Sequence, residues 1–151
     1  MKKLIKNLAV CFLAIAAFVM LSSHKGIETN GNNPWIAPAE ADTMINPFKG
    51  DQGATDAGKL TFTKMCVVCH GDKGKGDGIA GANLTPHPAN FTEERVIKET
   101  DGAIYWKLTS GKSPMASYKL ALSDEKRWQL VNYIRKMQLD DTPVINAKIN
   151  Q

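Results

Sequence analysis

Apolar and polar positions divide the 151-residue chain into four stretches. Leu8 to Leu21 is an uninterrupted apolar run behind Lys2, Lys3 and Lys6. A positive head before such a run reads as an export signal over residues 1–23. The run is shorter than the roughly 20 residues a membrane-spanning helix takes. Met20-Leu21-Ser22-Ser23 offers no A-x-A cleavage pattern, so an uncleaved anchor is the alternative. Cys11 lies inside the run, where it serves as a small hydrophobe. Residues 24–53 are rich in Asn, Gly, Ala and Pro and show no helical or strand period, as in a linker or extended arm. A flexible segment of this length reaches about 30 Å. Trp35, Met44, Ile45 and Phe48 are too apolar for a free linker and are expected to pack on the domain that follows.

Helical periodicity occupies residues 54–139, with 140–151 left as a C-terminal tail. Gly58, Phe62, Met65, Cys66 and Cys69 share one face of a helix predicted from about Thr55. The last helix begins at Ser123 as N-cap, with Asp124 and Glu125 in its first turn. Leu130, Tyr133, Ile134 and Met137 form its apolar face, widened by Trp128 and Val131; Lys126, Gln129, Asn132 and Lys136 are its polar side. Between these helices lie a glycine-rich loop, Gly71 to Gly81, and a proline-rich stretch, Leu84 to Phe91. A short helix is predicted after Thr92 as cap, with Phe91 and Val96 as a hydrophobic staple. Another is predicted from about Gly102 to Leu108, stopping near Gly111, with Ile104, Tyr105, Trp106 and Leu108 facing inward.

Charge narrows the range of partners. The formal net charge of +4 falls to +1 when the three lysines of the export segment leave. A balance so close to neutral argues against nucleic acid as a partner. The periodic region is also small enough that a limited core of its own calls for a cofactor, metal or disulfide.

Cys66-Val67-Val68-Cys69-His70 supplies the candidate chemistry. Cys-x-x-Cys-His is the attachment sequence of covalent haem: each thiol adds to one vinyl group, and the adjacent His70 lies close enough to ligate the iron. A structural zinc site requires four ligands, and no second Cys pair exists. A thioredoxin-like dithiol requires a βαβ setting and no following His. Gly76, Gly78 and Gly81 spell G-x-G-x-x-G, but without a preceding strand the dinucleotide reading fails. The loop is expected instead to wrap the haem edge, where small residues admit close backbone approach.

From about Gly53 to Leu139 the chain resembles a single-haem class I c-type cytochrome. The motif, the Gly58/Phe62 pair and Arg-Trp-Gln-Leu-Val-Asn-Tyr-Ile-Arg in the last helix carry the likeness. The resemblance implies an all-α fold, three to five short helices wrapped around one covalently bound haem c. It implies that Gly58 and Phe62 meet the last helix at a close crossing. It also implies that a proline carbonyl, of Pro86 or Pro88, accepts from His70, and that Trp106 is a candidate partner for a haem propionate. It places the distal iron ligand, a Met, in the loop before the last helix, where Met115 follows Pro114. Met65 is one residue from Cys66, on the proximal side. His87 is the rival ligand.

The function implied is one-electron transfer outside the cytoplasm, in the periplasm or an equivalent compartment of a respiratory chain. Donor complex or dehydrogenase and terminal oxidase or reductase are the redox partners. The domain is either soluble or tethered through Leu8 to Leu21 as a subunit of a larger membrane complex. An open-site haem enzyme or gas sensor is the reading from another class. Lys73, Lys75, Lys112 and Lys119 sit in loops expected to rim the haem edge, where they are suited to steer an acidic partner.

Overall fold

A computed structural model describes residues 35–141. The export or anchor segment, Cys11, the first part of the arm and the tail beyond residue 141 lie outside the described residues. Five α-helices follow one another: α1 (Gln52–Met65), α2 (Val67–His70), α3 (Glu94–Ile97), α4 (Asp101–Ser110) and α5 (Asp124–Asp141). Short 3-10 turns occupy Ala39–Thr43 and Gly81–Asn83. Among the described residues no strand forms, and the fold is all-α.

Helix α1 starts earlier than expected because Asp51, not a later residue, caps it: its carboxylate accepts from Ala54 N at 2.8 Å. Ser123 caps α5 as its sequence suggests, accepting from Lys126 N at 3.3 Å. The two long helices cross at Gly58, where a Cβ would stand 2.0 Å from the Gln129 carbonyl oxygen. No side chain fits there, so glycine is the residue that lets the backbones touch. Phe62 lies one turn on, its ring 5.3 Å from that of Tyr133. Phe62, Leu130, Val131 and Ile134 are the largest side chains fully removed from solvent. The core therefore sits between α1 and α5, with Ile104, Tyr105 and Leu108 of α4 closing it.

The arm is not free from Trp35 onward; it straps across α4 and α5. Ala41 is buried, Phe48 packs on the core, and the Trp35 ring meets Trp106 edge-on at 6.3 Å. Ile45, by contrast, stays 86% exposed, so only part of the arm's apolar set is used. Asn46 anchors the strap. Its amide donates to Asn132 Oδ1 at 2.8 Å and Asp101 Oδ2 at 3.2 Å, while its Oδ1 accepts from Phe48 N at 3.0 Å. Asn132, assigned to the polar side of the last helix by its periodicity, is consequently buried. It is polar because it pairs with the strap, whose position a helical wheel does not contain. Asn46→Ala leaves Asn132 Oδ1 and Phe48 N without the partner they have here, which costs about 1–3 kcal/mol. Denaturant unfolding of the haem-loaded protein measures this, and an unchanged midpoint would refute the anchoring role.

One local expectation is corrected. Thr92 does not cap a helix: its N–H and hydroxyl both donate to Asn90 Oδ1, each at 2.9 Å. That side-chain turn captures Thr92, so α3 begins later, at Glu94. Phe91 is correspondingly drawn away from a staple with Val96 and toward His70.

Candidate haem-binding site

After α1 the chain bends at Cys66 (φ −114°, ψ −33°) and makes the single turn α2 through the motif. Cys66 and His70 are buried and Cys69 half-buried. Both cysteines are free thiols. Burial pushes the Cys66 thiol up to about 12, with the Cys69 thiol adding to the shift. Among the described residues no three His, Cys, Asp or Glu side chains converge as a metal cluster.

His70 is held as an iron ligand needs to be. Its Nδ1 lies 3.2 Å from the Ala89 carbonyl. A carbonyl only accepts, so Nδ1 carries the proton and Nε2 keeps a free lone pair. Burial lowers the pKa of His70, against a smaller opposing effect of that hydrogen bond, which favours the neutral, ligating form. The Phe91 ring stacks on the imidazole at 4.5 Å and 20° and meets Phe62 edge-on at 6.2 Å. His70 is thus fixed on one face by an aromatic that is itself locked into the core. The donor set and its orientation fit haem.

The acceptor is Ala89, not Pro86 or Pro88. The Pro88 carbonyl points instead at the glycine-rich loop, where a Cβ on Gly76 would lie 2.4 Å from its oxygen. Carbonyls of successive residues face different ways, and only the backbone path decides which one reaches the ring. The glycine-rich loop packs on the motif turn. Gly78 N donates to the Cys69 carbonyl at 3.2 Å and Ala80 N to that of Val68 at 2.8 Å. A Cβ on Gly78 would meet the Val67 carbonyl oxygen at 2.5 Å. The close approach that requires glycine is therefore to the back of the motif turn, not only to a cofactor edge.

Met115 ends a tight turn in which Met115 N donates to the Lys112 carbonyl at 2.8 Å and Lys112 N to that of Met115 at 3.0 Å. The Ser113–Pro114 bond within it is cis. Met115 is half-buried and packs on the core cluster that contains Cys66. Three residues on, the Tyr118 hydroxyl reaches the Met65 carbonyl at 3.5 Å. Burial raises the pKa of that phenol, and the Cys66 and Cys69 thiols raise it further. The loop that carries Met115 is thereby brought to the motif. His87 is exposed and lies two residues before Ala89 in the chain. Trp106 packs against Trp35 of the strap and lies outside the core cluster that holds Cys66. Phe91 was visible in the sequence only as the end of a proline-rich stretch and a staple partner for Val96, and the Ala89 carbonyl left no signal there, since every residue has one.

An all-α wrap around a Cys-x-x-Cys-His turn, with its histidine oriented for iron, defines a c-type cytochrome domain. Residues 53–134 match the family described as cytochrome c oxidase, cbb3-type, subunit III, and the chain belongs to this family of haem-dependent electron-transfer domains. No curated protein matches the chain. A solved structure that it resembles is the "Kuenenia stuttgartiensis reducing HAO-like protein complex Kustc0457/Kustc0458", with 28% identity and a TM-score of 0.52. The match covers 57% of this chain and 44% of that one, so this chain spans less than half of its neighbour's length.

Proposed function

We propose that this chain is a one-electron carrier outside the cytoplasm, holding one haem c covalently through Cys66 and Cys69 with His70 and Met115 as iron ligands. The observation that carries the reading is the buried His70, its Nδ1 committed to Ala89 and its Nε2 left free within one helical turn of two thiols. Bound haem supplies the ferric/ferrous couple. The chain's part is to hold both ligands in place through the change of charge, exclude water with the α1/α5 core, and leave one edge open. Met115 packs on the core cluster that contains Cys66 whereas His87 is exposed, which favours Met115 for the opposite face.

Val68, Ile79 and Leu120 are 52%, 87% and 98% exposed, and the first two flank Cys69 in sequence or through the Val68–Ala80 hydrogen bond. Val68 and Ile79 offer apolar side chains close to Cys69, suited to a transient docking partner. Lys73, Lys112 and Lys119 remain candidates to steer an acidic partner, whereas Lys75 is engaged by Asp141 at 2.9 Å. The partners proposed are a donor complex or dehydrogenase and a terminal oxidase or reductase. A second reading, a tethered subunit of a larger redox complex, is favoured by the family's description and by the neighbour's title, which names a complex.

The test is the spectrum of the protein made in a host that attaches haem c. A ferric sulfur-to-iron band and ferrous haem that resists carbon monoxide are expected. Carbon monoxide binding at wild-type haem would overturn the carrier reading in favour of an open-site enzyme or sensor. Retention in membranes after a salt wash would select the tethered form.

A further inference from the structure

Arg127 is an arginine in the first turn of α5 that is only 3% exposed, and nothing in the scaffold role of that helix calls for a buried cation. Its hydrogen bonds explain it. Nη1 donates to the carbonyls of Leu122 at 2.6 Å, Lys119 at 3.0 Å and Tyr118 at 3.4 Å. Nη2 donates to the Tyr105 hydroxyl at 3.1 Å and to Asp124. The guanidinium also lies over the Tyr105 ring, 5.3 Å from its centroid, and that ring stacks on Trp128 at 4.0 Å. Nε, meanwhile, finds no partner among the described residues. The side chain is thus oriented to serve three loop carbonyls even though one of its own N–H groups goes unmatched.

Those carbonyls belong to the segment that runs from the Met115 turn to α5. The segment forms no regular structure of its own, and its other ties lie at its start. Ser117 Oγ donates to the Thr109 carbonyl at 2.6 Å and Tyr118 N to that of Leu108 at 3.0 Å. Beyond Tyr118 the local bonds are Lys119 N to Ser117 Oγ at 3.3 Å and Leu122 N to the Tyr118 carbonyl at 3.0 Å, and Leu122 is buried in the core; Arg127 is the side chain that joins three carbonyls of the segment to one another. The planar fork holds the loop carbonyls with Nη1 and Tyr105 and Asp124 with Nη2 at the same time, a spread of fixed donors that the compact ammonium of a lysine does not reproduce.

We propose that Arg127 is the positioning residue of the distal loop, clamping residues 118–122 to the Tyr105/Trp128 stack so that Met115 is held on the iron. The clamp rests on the reading of Met115 as distal ligand. It acts through the loop and does not touch the iron itself. Without it the loop opens while the α1/α5 scaffold stays folded, and exogenous ligand competes with the thioether.

The haem-loaded Arg127→Lys protein tests this against wild type and Met115→Ala. Loss of one charged, buried hydrogen bond corresponds to about tenfold or more in an equilibrium. Carbon monoxide uptake by the ferrous variant should therefore rise by about that factor. Its ferric sulfur-to-iron band should fade on heating before the helical circular dichroism does. Uptake equal to wild type, or a band that melts together with the helices, would overturn the clamp and leave Arg127 a general structural residue. If Arg127→Lys yields no haem-loaded protein, Tyr105→Phe removes one acceptor of Nη2 while preserving the ring stack; it is read by the same two criteria. Retention of the band in Met115→Ala would bring down the ligand assignment first. A band lost in Met115→Ala, with Arg127→Lys indistinguishable from wild type, would bring down the clamp alone.

Discussion

Replacing Met115 by alanine should abolish the sulfur-to-iron band of the ferric protein and open the ferrous protein to carbon monoxide. The midpoint potential should fall by on the order of 100 mV, because a thioether is a weak donor that favours the ferrous state. Met115 sits at the end of a tight turn closed by two hydrogen bonds with Lys112. Alanine preserves that backbone, so the effect isolates the thioether from the loop. Far-ultraviolet circular dichroism should change little, since the side chain is half-buried at the margin of the core and not within it. A variant that keeps the band would show that another sulfur reaches the iron. A wild type that is six-coordinate without the band would point to His87.

Gly58→Ala should be among the most damaging single methyls in the described residues. Its Cβ would lie 2.0 Å from the Gln129 carbonyl oxygen and 2.6 Å from the carbonyl carbon. Both belong to backbone, so no rotamer change relieves the contact, and α1 and α5 must move apart. Overpacking of a core costs about 1–3 kcal/mol, more where the backbone itself must shift. Against a total stability of roughly 5–15 kcal/mol for a small domain, that is a large share. The expected result is a lower yield of haem-loaded protein and a melting temperature reduced by about 10 °C or more. A Gly58→Ala protein as stable as wild type would show that the crossing is looser than described. The same change at Gly50, around which nothing lies within 4 Å, should be far milder apart from the strain of its positive φ.

Much of the site was legible before any fold was known. Cys66, Cys69 and His70 are adjacent in sequence and share one helical turn, so a local motif carries their geometry with it. The apolar period of α5 was legible for the same reason: Leu130, Ile134 and Met137 repeat at the helical spacing and all three are buried. Gly58 stood out because a mid-helix glycine costs about 1 kcal/mol against alanine and needs a contact to justify it. Even the stop of α4 was visible, since Gly111 takes a positive φ of 64° that few other residues adopt.

What the chain's own pattern determined, then, is whatever follows from neighbours within a few residues: the motif turn, the helix faces, the caps at Ser123 and the glycine stop. What only the tertiary structure decided is every partnership between distant segments. Asn132 reads as solvent-facing by its period, yet it is buried because a strap more than eighty residues upstream brings Asn46 to it. Arg127 stands in the sequence only as the first residue of the run that carries the family likeness, yet it gathers the loop that bears Met115. The carbonyl that orients His70 proved to be that of Ala89, beside the two prolines expected. Side-chain periodicity records which face of an element is apolar. It does not record which backbone carbonyl, which strap or which loop will arrive at that face, because these are set by the path of the whole chain.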